Sequence, residues 1–189
     1  MKLKPQISIP FLAFLAALVL FAFAPAGKVY LTHTGHIWFY SHTAMEDIEA
    51  HNYQVGANLN SATGDMAFSM LMKGFEFKRA LMQEHFNENY VESDKYPKST
   101  FKGKISNISS VNFDKNGTYK VTVTGDLMIH GVTKSTTAPG TITVTADSVY
   151  AKSNFDVTLK DYNITIPSVV KDKIQPVMQV HVDVAYAKK

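Results

Sequence analysis

The stretch GDLMIHGVTKS, Gly125 to Ser135, sets an imidazole and an ammonium four residues apart, at His130 and Lys134. A histidine acting as a general base needs a nucleophile to deprotonate and an acid to orient it. No motif in the chain supplies that pair. The chain also has no G-x-S-x-G elbow, no phosphate-cradling glycine loop and no cysteine. Asp156, Asp161 and Glu92 read as solvated carboxylates in strand or loop contexts.

A metal centre would have to use the seven histidines, at positions 33, 36, 42, 51, 85, 130 and 181. His33 and His36 are the closest pair. An offset of three on a regular strand sends two side chains to opposite faces, unless Gly35 bends the chain between them. Without cysteine or a helical H-x-x-x-H pair, no metal and no cofactor are expected.

His130 shares a strand face with Asp126 and Met128, opposite the apolar stripe, and Gly131 ends the strand. That position reads first as a bend in which the imidazole bonds nearby backbone. The functional alternative puts His130 and Lys134 at the rim of whatever the strands enclose.

Those strands are legible from period-two alternation. Ile37 to Tyr40 is aromatic and β-prone. Tyr53, Val55, Ala57 and Leu59 alternate, Asn60 to Asp65 supplies a turn, and Met66, Phe68, Met70 and Met72 share the next face. Phe101, Gly103 and Ile105 follow. Asp114-Lys115-Asn116-Gly117 is the strongest hairpin signal, since Asn-Gly tolerates the positive φ of a tight turn. Tyr119, Val121, Val123, Leu127 and Ile129 then face one way, with Gly125 in the same register as a bulge, a bend or a point of close approach. Ile142, Val144 and Ala146 come next, then Phe155, Val157 and Leu159. Met178, Val180, Val182, Val184 and Tyr186 close the chain.

One segment departs from alternation. Arg79 to Phe86 reads as a short helix, with Phe77, Leu81 and His85 in one stripe and Met82 and Phe86 beside it. A helix this short must lie on an apolar surface to persist. About eight strands with one apolar face each leave a two-sheet sandwich or a closed barrel, whose open end such a helix could cover.

The N-terminus has the layout of a secretory signal peptide. Lys2 and Lys4 precede an almost wholly apolar run from Ile7 to Ala24, and Ala24-Pro25-Ala26 offers small residues for cleavage. Residues 1–26 are expected to be removed, an uncleaved membrane anchor being the alternative. Removal takes away two lysines and no acid, lowering the formal charge of +3 to +1. Near-neutral, interspersed charge argues against nucleic acid as a partner. The remaining chain suffices for one domain, expected in the periplasm or outside the cell, and stabilised without disulfides.

Three stretches in sequence resemble the YceI-like family. GDLMIHGVTK is similar to its G-x-L-x-x-H-G-V-T-K strand and turn. DKYPKSTFKGKI, Asp94 to Ile105, resembles its Y-P-x-x-x-F lead into a strand. MQEHFNENY, Met82 to Tyr90, resembles the short helix before it. The resemblance spans roughly residues 28–188. It implies an all-β fold: an eight-stranded antiparallel barrel of lipocalin-like shape, with one short helix near a barrel end. It further implies periplasmic export and a long apolar pore for polyisoprenoid or another long-chain amphipathic lipid, with no catalytic residues.

The expected lining is Met66, Phe68, Met70, Met72, Val121, Val123, Leu127, Phe155, Val157, Leu159, Val180, Val182 and Val184. Methionine suits such a wall because it is flexible and polarizable and repacks around a mobile chain. Leu81, Met82, Phe86, His130 and Lys134 are the expected lid or rim, and transient contact with a membrane would follow. Two other readings stay open: a barrel enzyme acting on a lipid, isomerase- or cyclase-like, and a filled barrel serving as a stress or assembly partner. Oligomeric state is not legible.

Overall fold

The computed structural model describes residues 27–187. The stretch from Met1 to Ala26, with the expected signal peptide, lies outside the described residues.

Among the described residues there are nine antiparallel strands: β1 (Val29–His42), β2 (Asp47–Asn60), β3 (Asp65–Leu71), β4 (Glu76–Phe77), β5 (Lys98–Ile105), β6 (Gly117–Ile129), β7 (Val132–Val144), β8 (Ser148–Thr158) and β9 (Val177–Ala187). Their order is β1-β9-β8-β7-β6-β5-β3-β2, and β2 pairs back onto β1. These eight close a barrel, and the two-residue β4 pairs with β2 at Ala50 and His51, beyond the stretch of β2 that β3 covers. The fold is mostly β, as the alternation and the resemblance imply. Eight strands leave an interior that side chains can fill or that can hold one small ligand.

Strand polarity sorts the connections between two ends. The β2–β3 turn, the 106–116 connector and the β7–β8 turn meet at one. The short β1–β2 and β6–β7 turns and the two long connections, 72–97 and 159–176, meet at the other. The first end is plugged. Tyr30, Leu59, Ile105, Val111, Ile142, Val144, Val149 and Tyr186 form a tightly buried cluster there, with Ile108 and Phe113 of the connector packed on it.

The tight hairpin differs from the expected one. Asp114–Gly117 ends the long β5–β6 connector, because Ile105 pairs with Val123 and the intervening chain caps the barrel. The two-residue turn is His130-Gly131, closed by the Ile129–Val132 pair, with φ of 51° and 72°. Positive φ at both positions is the type I′ geometry that matches strand twist.

A second difference is register. Tyr53 does not share the face of Val55; it is exposed, whereas Asn52 is fully buried. Gly35 pairs with Val55 but Ile37 with Asn52, so β2 carries one extra residue there, offsetting one extra in β1 between Thr32 and Gly35. Such a bulge reverses which side chains face inward. Asn52 Nδ2 donates to the Leu71 carbonyl at 2.9 Å, bridging a stretch where β2 and β3 are no longer paired. Tyr53 instead joins His36, Trp38, His51 and His181 in a stack of rings on the outer wall, where His36 Nε2 and His51 Nδ1 are hydrogen-bonded at 2.9 Å. Among the described residues, no group of three or more His, Asp or Glu could hold a metal ion.

The helix is longer than its sequence pattern. α1 (Ala80–His85) continues into a π turn over Phe86–Tyr90, closed by the Val91 N–H donating to the Phe86 carbonyl at 3.0 Å. Met72 lies past the end of β3, in a 3-10 turn, and is buried.

Gly125 is a point of close approach. It pairs with Gly103 across β5 and β6. A Cβ on it would come within 2.4 Å of the Gly103 Cα and the Lys102 carbonyl and 2.7 Å of the Phe101 ring tip. The two glycines form the floor on which Phe101 lies.

Candidate functional site

The barrel interior toward the second end holds a cavity of about 500 Å³. That falls within the size range of small-molecule sites, roughly 300–1,000 Å³. It stops beneath the plugging cluster: Met66, Val121 and Ile142 are its deepest walls, while Leu59, Ile105, Val149 and Tyr186 take no part in it. The cavity is blind at one end.

Its wall is overwhelmingly apolar. Met66, Phe68, Met70, Met72, Val121, Val123, Leu127, Phe155, Val157, Leu159, Val180 and Val182 all line it. Val184, expected among them, does not; it is fully buried deeper along β9, within the plug. Period-two logic alone cannot tell where along a strand a cavity stops.

Ile37, Phe39, Phe101, Ala138 and Ile142 also line it. Their alternation was available in sequence: Ile37 and Phe39 alternate with Trp38 and Tyr40, and Phe101 with Lys102. Ile164, Val170 and Ile174 line it from the 159–176 connection, where no periodicity could have pointed to them.

Polar groups inside are few. Ser99 Oγ donates to the Met128 carbonyl at 2.7 Å and Ser153 Oγ to the Pro139 carbonyl at 2.6 Å. The charged lining residues belong mostly to the mouth: Glu46, Arg79, His85 and Lys173. The Arg79 guanidinium bridges to Glu46, and Asn89 Nδ2 meets His85 Nδ1 at 3.1 Å. Lys152 is bound to Asp183 at 2.7 Å. Burial raises the Tyr90 hydroxyl above its ordinary range, keeping it neutral.

Two segments cover the mouth. From one side α1 contributes Leu81 and Met82, and the π turn after it Phe86. Phe86 is held in a ring cluster, with centroids 5.6 Å from Phe39, 5.6 Å from Phe75 and 5.0 Å from Phe77. From the other side comes the 159–176 connection. β7 and β8 pair only between Gly140–Val144 and Val149–Ser153, so their halves nearer the mouth are splayed. Tyr162 and Ile164 are buried there, and the Tyr162 hydroxyl bonds Thr136 of β7. Burial, the larger influence, holds that hydroxyl neutral well into the alkaline range.

His130 sits between these two covers. Nδ1–H donates to the Tyr162 carbonyl at 3.0 Å, and Nε2 meets Glu92 Oε2 at 2.6 Å. The Tyr96 ring stands edge-on to the imidazole at 4.6 Å. Glu92, His130 and Asn163 are the described non-glycine residues with positive φ, and they converge on this contact. Left-handed backbone costs a residue such as glutamate roughly 1–2 kcal/mol, so the contacts around the imidazole help to hold a strained position at Glu92. His130 is therefore a latch between covers and takes no part in the cavity lining. Lys134, opposite Leu127 on β7, is exposed and outside the lining.

Comparison with known proteins agrees with this architecture. No curated protein sequence matches the chain. Among solved structures, a polyisoprenoid binding domain from Saccharophagus degradans, implicated in plant cell wall breakdown, superposes with a TM-score of 0.74 at 12% identity. That match covers 86% of this chain and 99% of the other. BcnA of Burkholderia cenocepacia gives a TM-score of 0.64 at 15% identity, over 82% and 96% of the two chains. The YceI protein of Campylobacter jejuni gives 0.53 at 15% identity, over 100% and 91%. At these identities the likeness is one of fold. The family model for the YceI-like domain matches residues 30–186, from the first strand of the barrel to the last, and the chain belongs to the YceI-like family.

Proposed function

We propose that the chain is an exported, non-enzymatic protein that holds one long-chain apolar lipid, a polyisoprenoid foremost, tail-first inside its barrel. The observation that carries this reading is the blind cavity of about 500 Å³ with an almost unbroken apolar wall. The solved domain that binds polyisoprenoid and has the same fold supports the ligand class. The signal-peptide layout of residues 1–26 supports export.

The energetics fit. Each buried CH₂ contributes about 0.8 kcal/mol, so a dozen of them release on the order of 10 kcal/mol, enough to offset much of the cost of association. Ser99 and Ser153 spend their hydroxyls on backbone carbonyls, and the charged lining groups sit mostly at the mouth. That leaves no positioned acid–base pair deep in the cavity, which argues for holding over turnover.

The test is mass spectrometry of organic extracts from protein purified from its own envelope without detergent. A stoichiometric prenyl or long-chain lipid is expected. An empty protein that also refuses added prenyl lipids would overturn the reading in favour of a barrel without cargo. Val123→Asp, on the cavity wall, should abolish retention; a folded variant that still holds lipid would remove the cavity from the argument.

A further inference from the structure

The cavity opens toward the second end of the barrel, and exposed apolar side chains stand around that mouth. The three most exposed large apolar residues among those described are Val169 at 87%, Met45 at 65% and Leu81 at 61%. Single exposed apolar residues are ordinary on any surface. These three stand on three different segments at the same end: the 159–176 connection, the β1–β2 turn and α1.

The segments are tied to one another. Arg79, at the start of α1, is ion-paired with Glu46, next to Met45. The Gln175 backbone N–H donates to Ser41 Oγ at 3.0 Å and its side-chain amide to the His42 carbonyl at 2.9 Å, drawing the 159–176 connection against the β1–β2 turn. Leu81 itself lines the cavity, as does Val170 beside Val169 and Glu46 beside Met45. The exposed tips and the cavity wall share one rim.

We propose that this rim docks on a lipid bilayer. Met45, Leu81 and Val169 enter the interfacial layer, so that the mouth opens onto lipid and cargo passes without crossing water. The inference rests on the lipid-holding reading above. Basic side chains also stand at this end. Glu46 is taken by Arg79, and Asp47 by His42, whose hydrogen bond foremost lowers its carboxyl, Lys78 adding a smaller pull. Lys171 and Lys173 follow the Val169 turn with only Asp172 between them. Basic residues near an anionic bilayer are attracted to it, and lysine stems can lie along the interface with their heads in water.

Separate tips with charged residues between them suit a bilayer better than a protein. A stable protein partner needs a continuous face of about 800 Å² per side. An interfacial layer accepts individual apolar side chains.

The chain has no cysteine, so single labels can be placed in the full-length protein. An environment-sensitive fluorophore at Met45→Cys, Leu81→Cys and Val169→Cys is compared with one at Asn116→Cys, exposed at the plugged end. Vesicles of phosphatidylcholine and phosphatidylglycerol in equal parts are then added. A blue-shifted, several-fold brighter emission is expected at the three rim positions, quenched by a nitroxide lipid within the bilayer, and none at 116. No change at the rim, or an equal change at 116, overturns the proposal. A shift that grows with protein concentration before vesicles are added assigns the rim to a second copy and overturns it too. None of these readouts needs cargo. A chain that yields extracted lipid yet shows no rim signal loses the docking proposal and keeps the cavity reading.

Discussion

Removing Glu92 tests whether the imidazole at the β6–β7 turn holds the two covers of the cavity. Its carboxylate lies 2.6 Å from His130 Nε2. The imidazole is 10% exposed and the carboxylate 43%. A hydrogen bond to a charged group contributes about 1.5–3 kcal/mol when well shielded, and an exposed pair about 0.2–1 kcal/mol. The half-exposed carboxylate places this contact at about 1–1.5 kcal/mol. Glu92 also has a φ of 44°, a strain that alanine would keep and glycine would relieve. Glu92→Ala should therefore destabilise the protein by about 1.5 kcal/mol. Glu92→Gly should cost about 0.5–1 kcal/mol less, since the relieved strain exceeds the added freedom of the unfolded chain. Urea unfolding, followed through the single tryptophan, Trp38, gives both values. The double-mutant cycle with His130→Ala gives the coupling directly. A coupling below about 0.3 kcal/mol, inside the usual error of additivity, or equal effects of alanine and glycine, would refute the latch.

Gly125→Ala should lower stability by about 2–3 kcal/mol or prevent folding, because its methyl would strike backbone on the paired strand; thermal unfolding measures this. Tyr186→Phe should be neutral or stabilising by up to about 1 kcal/mol, since the buried hydroxyl finds no hydrogen-bond partner among the described residues and burial keeps it neutral throughout the usual pH range. A loss of stability in the phenylalanine variant would show that the hydroxyl is satisfied. Burial foremost, then the neighbouring His51, lowers the His36 pKa against a smaller opposing pull from Asp183. As pH falls through the ordinary histidine range near 6.5, the unfolded chain binds a proton that the folded one resists. Stability should thus decline below neutrality and be unaffected above it. His36→Gln should flatten that decline, measured by urea unfolding across pH.

Much of the barrel is legible because alternation reports which face of a strand meets the core. Val121, Val123 and Leu127 needed nothing more. The pattern fails where the period changes: the bulge between Asn52 and Val55 moved Tyr53 outward, and no propensity marks where a bulge falls. Turn chemistry failed by being read too locally. Asn116-Gly117 has the stronger dipeptide preference, yet His130-Gly131 makes the tight hairpin, because contacts with Glu92 and Tyr162 hold a histidine at positive φ. Those partners lie 38 and 32 residues away, beyond any window of periodicity. The same limit hid Ile164, Val170 and Ile174, whose place in the cavity is set by how an irregular connection folds back.

The barrel closes through β9, which pairs with β8 on one side and with β1 on the other, joining His36–Tyr40 to Gln179–Asp183. Contacts so distant in sequence carry a loop-closure cost that must be met before they return any stabilisation, and topologies rich in them fold slowly. Hairpins such as β6–β7 can form as soon as they are synthesised. The first strand cannot find both neighbours until almost the last residue exists. A chain cut short before residue 177 would present β1 and β8 as bare edges, open to pairing with other copies. Truncation at the C-terminus is thus expected to produce aggregation in place of a smaller, partly working barrel.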